Sequence, residues 1–471
     1  MPSLSGDDFL LGSATARQLY HAHAAKLPIV DYHSHVSAQD LADDRVFANL
    51  FELWLAPDQY KHRVLRALGV EEQFILGHAT PREKFDRWAA AVSCTLGNPL
   101  YHWTALELRT YFGLTKPLSA VTAEETWQQA NAALRRPSHR ARALLARADV
   151  EIVCSSDRLL DDLSAHAALQ KSGFGPRVLP SLRADDLLAV ESPDFPKWLR
   201  ALGAASSAAV EDLDGALHAV ELQLQRFAAR GCTVADHGID VLDYVPATAE
   251  SVRPLYARRL AGNALANGEA AQLRSFFLRH LAVAYARRGW LFQLHLGAQR
   301  QTSSRLRGIA GPAGGYATIG ATTDIARLCG FLDELERAAS LPRTILYTLN
   351  PADNAAFATL TGSFAQEGVA GKIQFGPAWW FNDHELGIRN HLETLAHHGL
   401  LWNFIGMTTD SRSLLSMSRH DYFRRVLCDY LGQQVERGAM PRDETLLAAY
   451  VRRICYENAR AHFNSPGKSS A

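Results

Sequence analysis

The stretch LPIVDYHSHVSAQDL, residues 27–41, joins a short apolar run to two histidines that stand one residue apart. The apolar run is typical of a buried strand, and residues i and i+2 of a strand point to the same face. His33 and His35 would then project side by side, and two imidazoles in that position can hold one divalent ion. The alternative is a pair of hydrogen-bonded histidines near a surface turn. This stretch alone leaves both interpretations open.

Similar apolar runs recur along the chain, and each ends in polar or charged residues. Segments with apolar residues at helical spacing separate many of them. Strands that alternate with helices predict parallel strands joined by right-handed crossovers, and eight such units predict a (β/α)8 TIM barrel, an α/β fold. The eight runs are 27–35, 149–157, 177–185, 231–238, 290–297, 343–350, 372–380 and 401–410.

An open doubly wound sheet is the alternative fold. It would usually carry a glycine-rich phosphate turn after its first strand, and the sequence contains neither G-x-G-x-x-G nor G-x-x-x-x-G-K-[ST]. The glycine-rich stretch GIAGPAGGYATIG, 308–320, lacks the lysine and hydroxyl residue of such a turn. We interpret it as a mobile loop over the site, with a solvated connector as the alternative.

The spacing of the first two runs is unusual. About 115 residues separate them, far more than a βα unit needs. The intervening segment is rich in helical pattern and aromatic residues, so we predict a helical insertion that packs over the mouth of the barrel. The predicted organisation is an N-terminal helix and strand 1 (1–39), a helical insertion domain (40–148), the remainder of the barrel (149–463) and a disordered tail (464–471).

The composition of the chain argues against several classes of protein. Lysine plus arginine equals aspartate plus glutamate, 49 against 49, which gives no reason to expect nucleic acid or an anionic membrane as a partner. The six cysteines are far apart and include no C-x-x-C, so we expect reduced thiols. The chain shows neither a basic leader followed by an apolar stretch nor a membrane-length apolar run, so we expect a cytoplasmic protein.

Polar residues at the ends of three runs predict a metal site, because barrel active sites lie at the carboxyl ends of the strands. His33 and His35 end the first run, His295 lies in the fifth and Asp410 ends the eighth. This nitrogen and oxygen ligand set suits zinc, with manganese, iron or cobalt as alternatives, and His295 is a further candidate ligand. The sixth run has no histidine and the fourth has no lysine, so we predict one metal ion rather than two.

Ten motifs make the chain resemble the uronate isomerase (glucuronate isomerase) family of the amidohydrolase superfamily, whose barrel is of the metal-dependent hydrolase type. They cover nearly all of residues 7–463. The motifs are PIVDYHSH, GNPLYHWTALEL, LPSLRADD, DHGID, LHLGAQR, TILYTLNP, GKIQFGPAWWFND, GMTTDSRS, RHDYFRR and ICYENA.

The resemblance implies an aldose–ketose isomerase that interconverts D-glucuronate with D-fructuronate, and D-galacturonate with D-tagaturonate, through an enediol. It implies that His33, His35 and Asp410 bind the metal and that Asp410 takes a hydroxyl proton during ring opening. Tyr60 and Arg412 would move the proton between C2 and C1, and a neighbouring guanidinium would favour the phenolate of Tyr60.

The resemblance also suggests how the substrate is held. Arg183 is the candidate for bidentate binding of the substrate carboxylate, with a surface salt bridge as its alternative. His295, counted with the catalytic residues, and Arg300 would line the same mouth. Trp379 and Trp380 would form a wall of the sugar site, or else serve only in packing. The expected partner is a small-molecule hexuronate, and homo-oligomerisation is left open.

Two stretches depart from the usual family pattern. The chain reads PDQYKHR at 57–63 where the family usually reads GDHYKWR, and SSDRL at 155–159 where it usually reads TTDDP. Gln59 would contact the substrate, but an amide cannot carry a proton as a histidine does, and Arg158 replaces an acid. These changes keep three alternatives open: a sister isomerase or epimerase on another sugar acid, a metal-dependent hydrolase, and a sugar-acid-binding protein without catalysis.

Overall fold

The computed structural model describes Leu4 and residues 6–464 of the chain. Seven strands form one curled parallel sheet in the order β1-β2-β3-β4-β5-β8-β9, and β6 and β7 form a separate antiparallel pair. The predicted tail, 464–471, lies outside the described residues apart from the backbone of Asn464. The strands are β1 Ile29–Asp31, β2 Val150–Arg158, β3 Arg177–Arg183, β4 Val234–Gly238, β5 Leu291–Leu296, β6 Ala298–Gln299, β7 Thr318–Ile319, β8 Thr344–Thr348 and β9 Ile373–Phe375.

Helices connect the strands of the parallel sheet, as the alternating pattern predicts. Six α-helices lie between β1 and β2, and five of them lie wholly within 40–148, the segment predicted to be helical. The α-helices are Ala14–Leu19, Ala38–Ala42, Gln59–Ala67, Pro81–Val92, Pro99–Phe112, Ala123–Leu134, Ala141–Arg147, Ser164–Ser172, Asp185–Leu188, Phe195–Ser206, Leu213–Ala229, Ala249–Leu260, Asn267–Arg288, Ser304–Ala310, Ile325–Arg337, Asn354–Ser363, Glu385–His398, Ser418–Glu436, Glu444–Arg452 and Asn458–Asn464.

The parallel register brings the carboxyl ends of neighbouring strands together. Arg183 at the end of β3 stands opposite Asp236 of β4, and Gly238 at the end of β4 stands opposite His295 of β5. Every residue of β5 and β8 is buried, as expected for strands covered on both faces. The polar residues that end these strands therefore gather at one edge of the sheet.

The eighth run, 401–410, differs from its prediction, because it forms a single 3-10 turn and then an extended segment without strand pairing. Side chains hold it in the gap between β9 and β1. Ile405 N donates to the side-chain oxygen of Gln374 at 3.1 Å, and Thr409 donates to Asp31 through its backbone N at 2.9 Å and its hydroxyl at 2.6 Å. Gly406 in this segment has φ +88°, which departs from strand geometry. Side-chain hydrogen bonds thus replace most of a backbone ladder, and a backbone bond returns only at the end of the run, where Asp410 N donates to His33 O at 3.0 Å.

The long helix Ser418–Glu436 is buried along most of its length and packs on the short helix Ala14–Leu19 near the start of the chain. Gly432 permits the close approach, since a Cβ there would lie 2.6 Å from Ser13 Oγ and 2.7 Å from Ala16 N. Arg425 extends from the same helix and donates to Phe9 O at 3.1 Å. The two ends of the described chain therefore share one packed core.

Two further sequence predictions concern the whole chain. All six cysteines lie within the described residues, and none is paired with another there. In the part of the chain that the structure describes, no helix has the length and apolar character needed to cross a membrane.

Candidate active site

The two histidines of the opening stretch lie just beyond β1, which ends at Asp31. The chain continues there in extended form between its two neighbours. Ser34 N donates to Cys154 O of β2 at 2.9 Å, and His35 N donates to Ser411 O at 2.9 Å. This bonding directs both imidazoles toward Asp410, which follows the extended segment on the other side.

His33, His35 and Asp410 form a compact ligand cluster. Asp410 Oδ1 lies 3.2 Å from His33 Nε2 and 3.1 Å from His35 Nε2. One ligand atom of each residue lies within 4.8 Å of the others. Ligand atoms of a tetrahedral zinc site with bonds of about 2.0–2.1 Å are expected to lie roughly 3.3 Å apart. The donor atoms and their spacing therefore fit a divalent ion.

The charges of the cluster are set by burial and by close partners. Burial opposes protonation of His33, but Asp236 and Asp410 together raise its pKa. Burial lowers the pKa of His35 despite the same carboxylate. Burial also opposes ionisation of Asp410, yet its hydrogen bonds to the two histidines hold its pKa well below the usual value. The carboxylate is therefore ionised at neutral pH, as a metal ligand must be.

Asp236 connects this cluster to the predicted substrate residues. It is fully buried and accepts a hydrogen bond from the Ser181 hydroxyl at 2.7 Å. Its Oδ2 lies 3.9 Å from His33 Nδ1 and 3.1 Å from Arg183 Nε. A single carboxylate therefore faces a metal-ligand candidate on one side and the proposed carboxylate-binding arginine on the other.

Arg183 and Arg300 converge over Gly238. A Cβ built on that glycine would lie 2.8 Å from Arg300 Nη2 and 3.0 Å from Arg183 Nη2. Asp185 Oδ2 lies 3.0 Å from Arg183 Nε, and Asp240 accepts from both the backbone N and the guanidinium of Arg300. Two guanidinium groups are thus held side by side at the end of β4.

Tyr60 lies at the start of helix Gln59–Ala67, and its buried hydroxyl has no hydrogen-bond partner among the described residues. Burial, and secondly Asp410, raise the pKa of Tyr60 well above its usual value. The guanidinium that opposes this shift belongs to Arg419, which lies 5.7 Å from the centre of the tyrosine ring and pairs with Asp383. A neighbouring guanidinium therefore does favour the phenolate of Tyr60, as expected, but it belongs to Arg419 and burial outweighs its effect on the pKa.

Aromatic rings surround His295 at the base of the site. Its ring stacks on Tyr347 at 4.1 Å between centroids and meets the edge of Trp379 at 4.8 Å. Its Nδ1 donates to His237 O at 3.3 Å, which leaves Nε2 as an acceptor without a partner among the described residues. His295 lies 4.5 Å from the ring of His33 but outside the three-residue ligand cluster.

The two predicted tryptophans and Arg158 differ in their contacts and in their exposure. The guanidinium carbon of Arg300 lies 5.9 Å from the ring centre of Trp380, which is half-buried. Trp379 is buried and donates to Thr348 O at 3.1 Å, so it has a packing contact as well. Arg158 ends β2 with its side chain exposed.

Four residues that hold this site together had no predicted role, namely Asp31, Asp236, Asp383 and Arg419. Asp236 and Arg419 stand in the motifs DHGID and RHDYFRR. Asp31 stands inside the motif PIVDYHSH, and Asp383 ends the motif GKIQFGPAWWFND. The sequence did offer one signal for these residues, namely a charged residue inside a motif that is otherwise expected to be buried. Such a group is rarely buried without a partner, so its presence indicates an ion pair or a hydrogen bond.

Comparison with known proteins agrees with this geometry. The sequence model of the glucuronate isomerase family matches residues 1–463. The chain belongs to this family. A curated uronate isomerase from Geobacillus thermodenitrificans is 43% identical over 459 residues, which cover 97% of this chain and 98% of that relative. The resemblance seen in the ten motifs is confirmed, and the chain is an aldose–ketose isomerase of uronates.

Two solved structures of glucuronate isomerase relatives superpose on nearly the whole chain. A uronate isomerase from Thermotoga maritima is 30% identical, has a TM-score of 0.92, and the match covers 97% of this chain and 99% of that one. A glucuronate isomerase from Caulobacter crescentus is 25% identical, has a TM-score of 0.91, and the match covers 99% and 98% of the two chains. The mixed α/β fold of the chain is therefore that of the family.

Proposed function

We propose that the chain interconverts D-glucuronate with D-fructuronate, and D-galacturonate with D-tagaturonate, through an enediol at a single divalent metal site. The main support for this proposal is that two features lie together at one edge of the sheet. One is the His33–His35–Asp410 cluster, and the other is the paired guanidinium groups of Arg183 and Arg300. Asp236 contacts both features. A sugar acid presents matching groups, namely hydroxyl and carbonyl oxygens at one end and a carboxylate at the other.

The metal-binding role falls to His33, His35 and Asp410, with His295 as a further candidate through its unpartnered Nε2. A bound divalent ion would polarise the sugar oxygens and stabilise negative charge on them. Zinc is the proposed ion, since imidazole and carboxylate ligands suit it. Asp410 would also accept a hydroxyl proton as the sugar ring opens.

The carboxylate-binding role falls to Arg183 and Arg300. Each guanidinium presents Nη2 toward the space above Gly238, and each is held from behind by an aspartate. A carboxylate placed there would accept charge-assisted hydrogen bonds from both groups. This fixes the orientation of the sugar, so that C1 and C2 face the metal cluster.

The proton transfer between C2 and C1 is assigned to Tyr60 and Arg412. The raised pKa of Tyr60 means that its neutral hydroxyl predominates, so the hydroxyl would first release its proton to solvent, and the phenolate would then take the proton from C2 and return it to C1. Arg419 beside the ring would stabilise transient negative charge on the phenolic oxygen. Trp379 and Trp380 would exclude water from one side of the sugar.

The architecture suited to this site is a barrel closed by the segment 401–410 in place of an eighth strand. We propose that residues 1–39 supply the first strand and 149–463 the remainder of the barrel. The helices of 40–148 would then act as an insertion over the mouth. The position of Tyr60 within that segment supports this assignment, because a charged group at the strand ends, Asp410, influences its pKa.

One experiment tests the proposed reaction. Metal-loaded protein is incubated with D-glucuronate or D-galacturonate in deuterated water, and ketose formation is followed by NMR. We expect both ketoses, with deuterium entering at C1 when the enediol exchanges its proton with solvent. The matched control is Asp410→Asn, which removes the charge of one proposed ligand. Absence of ketose from both sugars would refute the proposal and favour an isomerase of another sugar acid.

A further inference from the structure

The glycine-rich segment Gly311–Gly320 packs against the helix that carries Tyr60. Arg63 Nη1 donates to Ala317 O at 2.6 Å, and the guanidinium of Arg66 donates to Gly314 O. The far end of the segment is fixed by β7, which pairs with β6, and the Thr302 hydroxyl donates to Tyr316 O. The segment is therefore bound to the helix and is more than a solvated connector.

Gly315 makes the closest approach in this contact. A Cβ at this position would lie 2.5 Å from Gln59 O and 3.4 Å from Arg63 N. Its φ of +81° also lies in the region that disfavours residues with a side chain. Only glycine lets the segment reach the first turn of the helix.

Gln59 contacts both the segment and a proposed proton-transfer residue. With the carboxamide oriented so that both of its polar atoms are satisfied, Nε2 donates to Ala313 O at 3.0 Å. In the same orientation Oε1 accepts from Arg412 Nη1 at 3.3 Å. An amide can donate and accept at once, but it cannot carry a proton at neutral pH, so its contribution here is one of position.

We propose that Gln59 is a positioning residue that connects the glycine-rich segment to Arg412, so that docking of the segment orients this guanidinium over the site. The inference rests on the proposed role of Arg412 in proton transfer. It assigns a function to Gln59 that differs from substrate contact. On this inference, the segment Gly311–Gly320 covers the active site, and turnover depends on the segment being docked on helix Gln59–Ala67.

The test compares three variants by hydrogen–deuterium exchange of residues 311–320 and by steady-state kinetics on D-glucuronate. Gln59→Leu removes both hydrogen bonds, Gly315→Ala pushes the segment off the helix, and the third variant combines the two changes. Gly308→Ala is the matched control, since a Cβ there meets no described atom within 4 Å beyond its chain neighbours and the backbone of its own helix. If Gln59→Leu fails to fold, Gln59→Asn, which keeps the amide but shortens its reach, replaces it.

We expect faster exchange in the segment and a kcat lower by about 10- to 100-fold, because a hydrogen bond to a charged group is lost. KM should change less than kcat, and the combined variant should be no slower than the slower single one, because both changes break the same connection. A native kcat together with native exchange in both single variants would overturn the inference. Losses of kcat that add up in the combined variant would also overturn it, because the two changes would then act independently. If the native protein forms no ketose, the proposed function is refuted and not this inference. In that case, unchanged hydrogen–deuterium exchange of residues 311–320 in Gln59→Leu would by itself refute the connection between Gln59 and the segment.

Discussion

Gly238→Ala tests the two-arginine site directly. The added Cβ would lie 2.8 Å from Arg300 Nη2 and 3.0 Å from Arg183 Nη2, so each guanidinium must move by roughly half an ångström to reach an ordinary contact distance. Both atoms end flexible side chains and the φ of Gly238 is not positive, so the fold should accept the methyl group. The aspartates behind the guanidinium groups resist the movement, and the donors lose their alignment on the substrate carboxylate.

The expected magnitude follows from the loss of about one charge-assisted hydrogen bond. Such a bond is worth roughly 1.5–3 kcal/mol, so KM for D-glucuronate should rise by about 10- to 100-fold with little change in kcat. KM and kcat are measured by ketose formation, and Tm is measured in parallel. Gly330→Ala, in helix Ile325–Arg337 with no described atom within 4 Å of its Cβ, is the control. An unchanged KM in a correctly folded Gly238→Ala protein would refute the carboxylate assignment at this position.

Four further changes test other parts of the site and fold. The double change His33→Ala, His35→Ala should remove most bound metal, measured by elemental analysis, and full occupancy would contradict the assigned ligands. Arg183→Met should raise KM for uronates by about 10²-fold, since a charged binding partner is lost, whereas an unchanged KM would place the clamp elsewhere. Tyr60→Phe should abolish turnover yet keep the native Tm, because the hydroxyl has no partner among the described residues, and residual native turnover would exclude Tyr60 as proton carrier. Burial raises the pKa of Asp157 to about 7, so this carboxyl should lower the stability of the fold as pH rises from about 4 through 7, by up to about 4 kcal/mol. Asp157→Asn should therefore gain more Tm over the native protein at pH 8 than at pH 4, and equal differences at both pH values would contradict this.

The strands were predictable from the sequence because buried parallel strands leave continuous apolar runs. Seven of the eight runs contain a strand of the sheet. The eighth was not predictable in detail, since Thr408 and Thr409 replace ladder hydrogen bonds by side-chain bonds to Asp31, a residue more than 370 positions away. A local pattern carries no information about such a partner.

The grouping of His33, His35 and Asp410 could be predicted because these residues end apolar runs, and the carboxyl ends of parallel strands converge at one edge of a barrel. The partners of Tyr60 could not. Arg419 lies in the long helix that follows the last run, and only the folded chain brings it beneath the tyrosine ring. The position of Gln59 was visible as a departure from the family pattern, but its contact with Ala313 depends on a close backbone approach at Gly315 that no spacing reveals.

The packing of helix Ser418–Glu436 on Ala14–Leu19 has a consequence for synthesis of the protein on the ribosome. The early helix is made more than 400 residues before the surface that covers it. Until Gly432 and its neighbours emerge, the apolar face of Ala14–Leu19 has no native partner and is open to chaperones or to other nascent chains. Emergence of residues 418–436, rather than completion of any one strand, is therefore the event that commits helix Ala14–Leu19 to its native place.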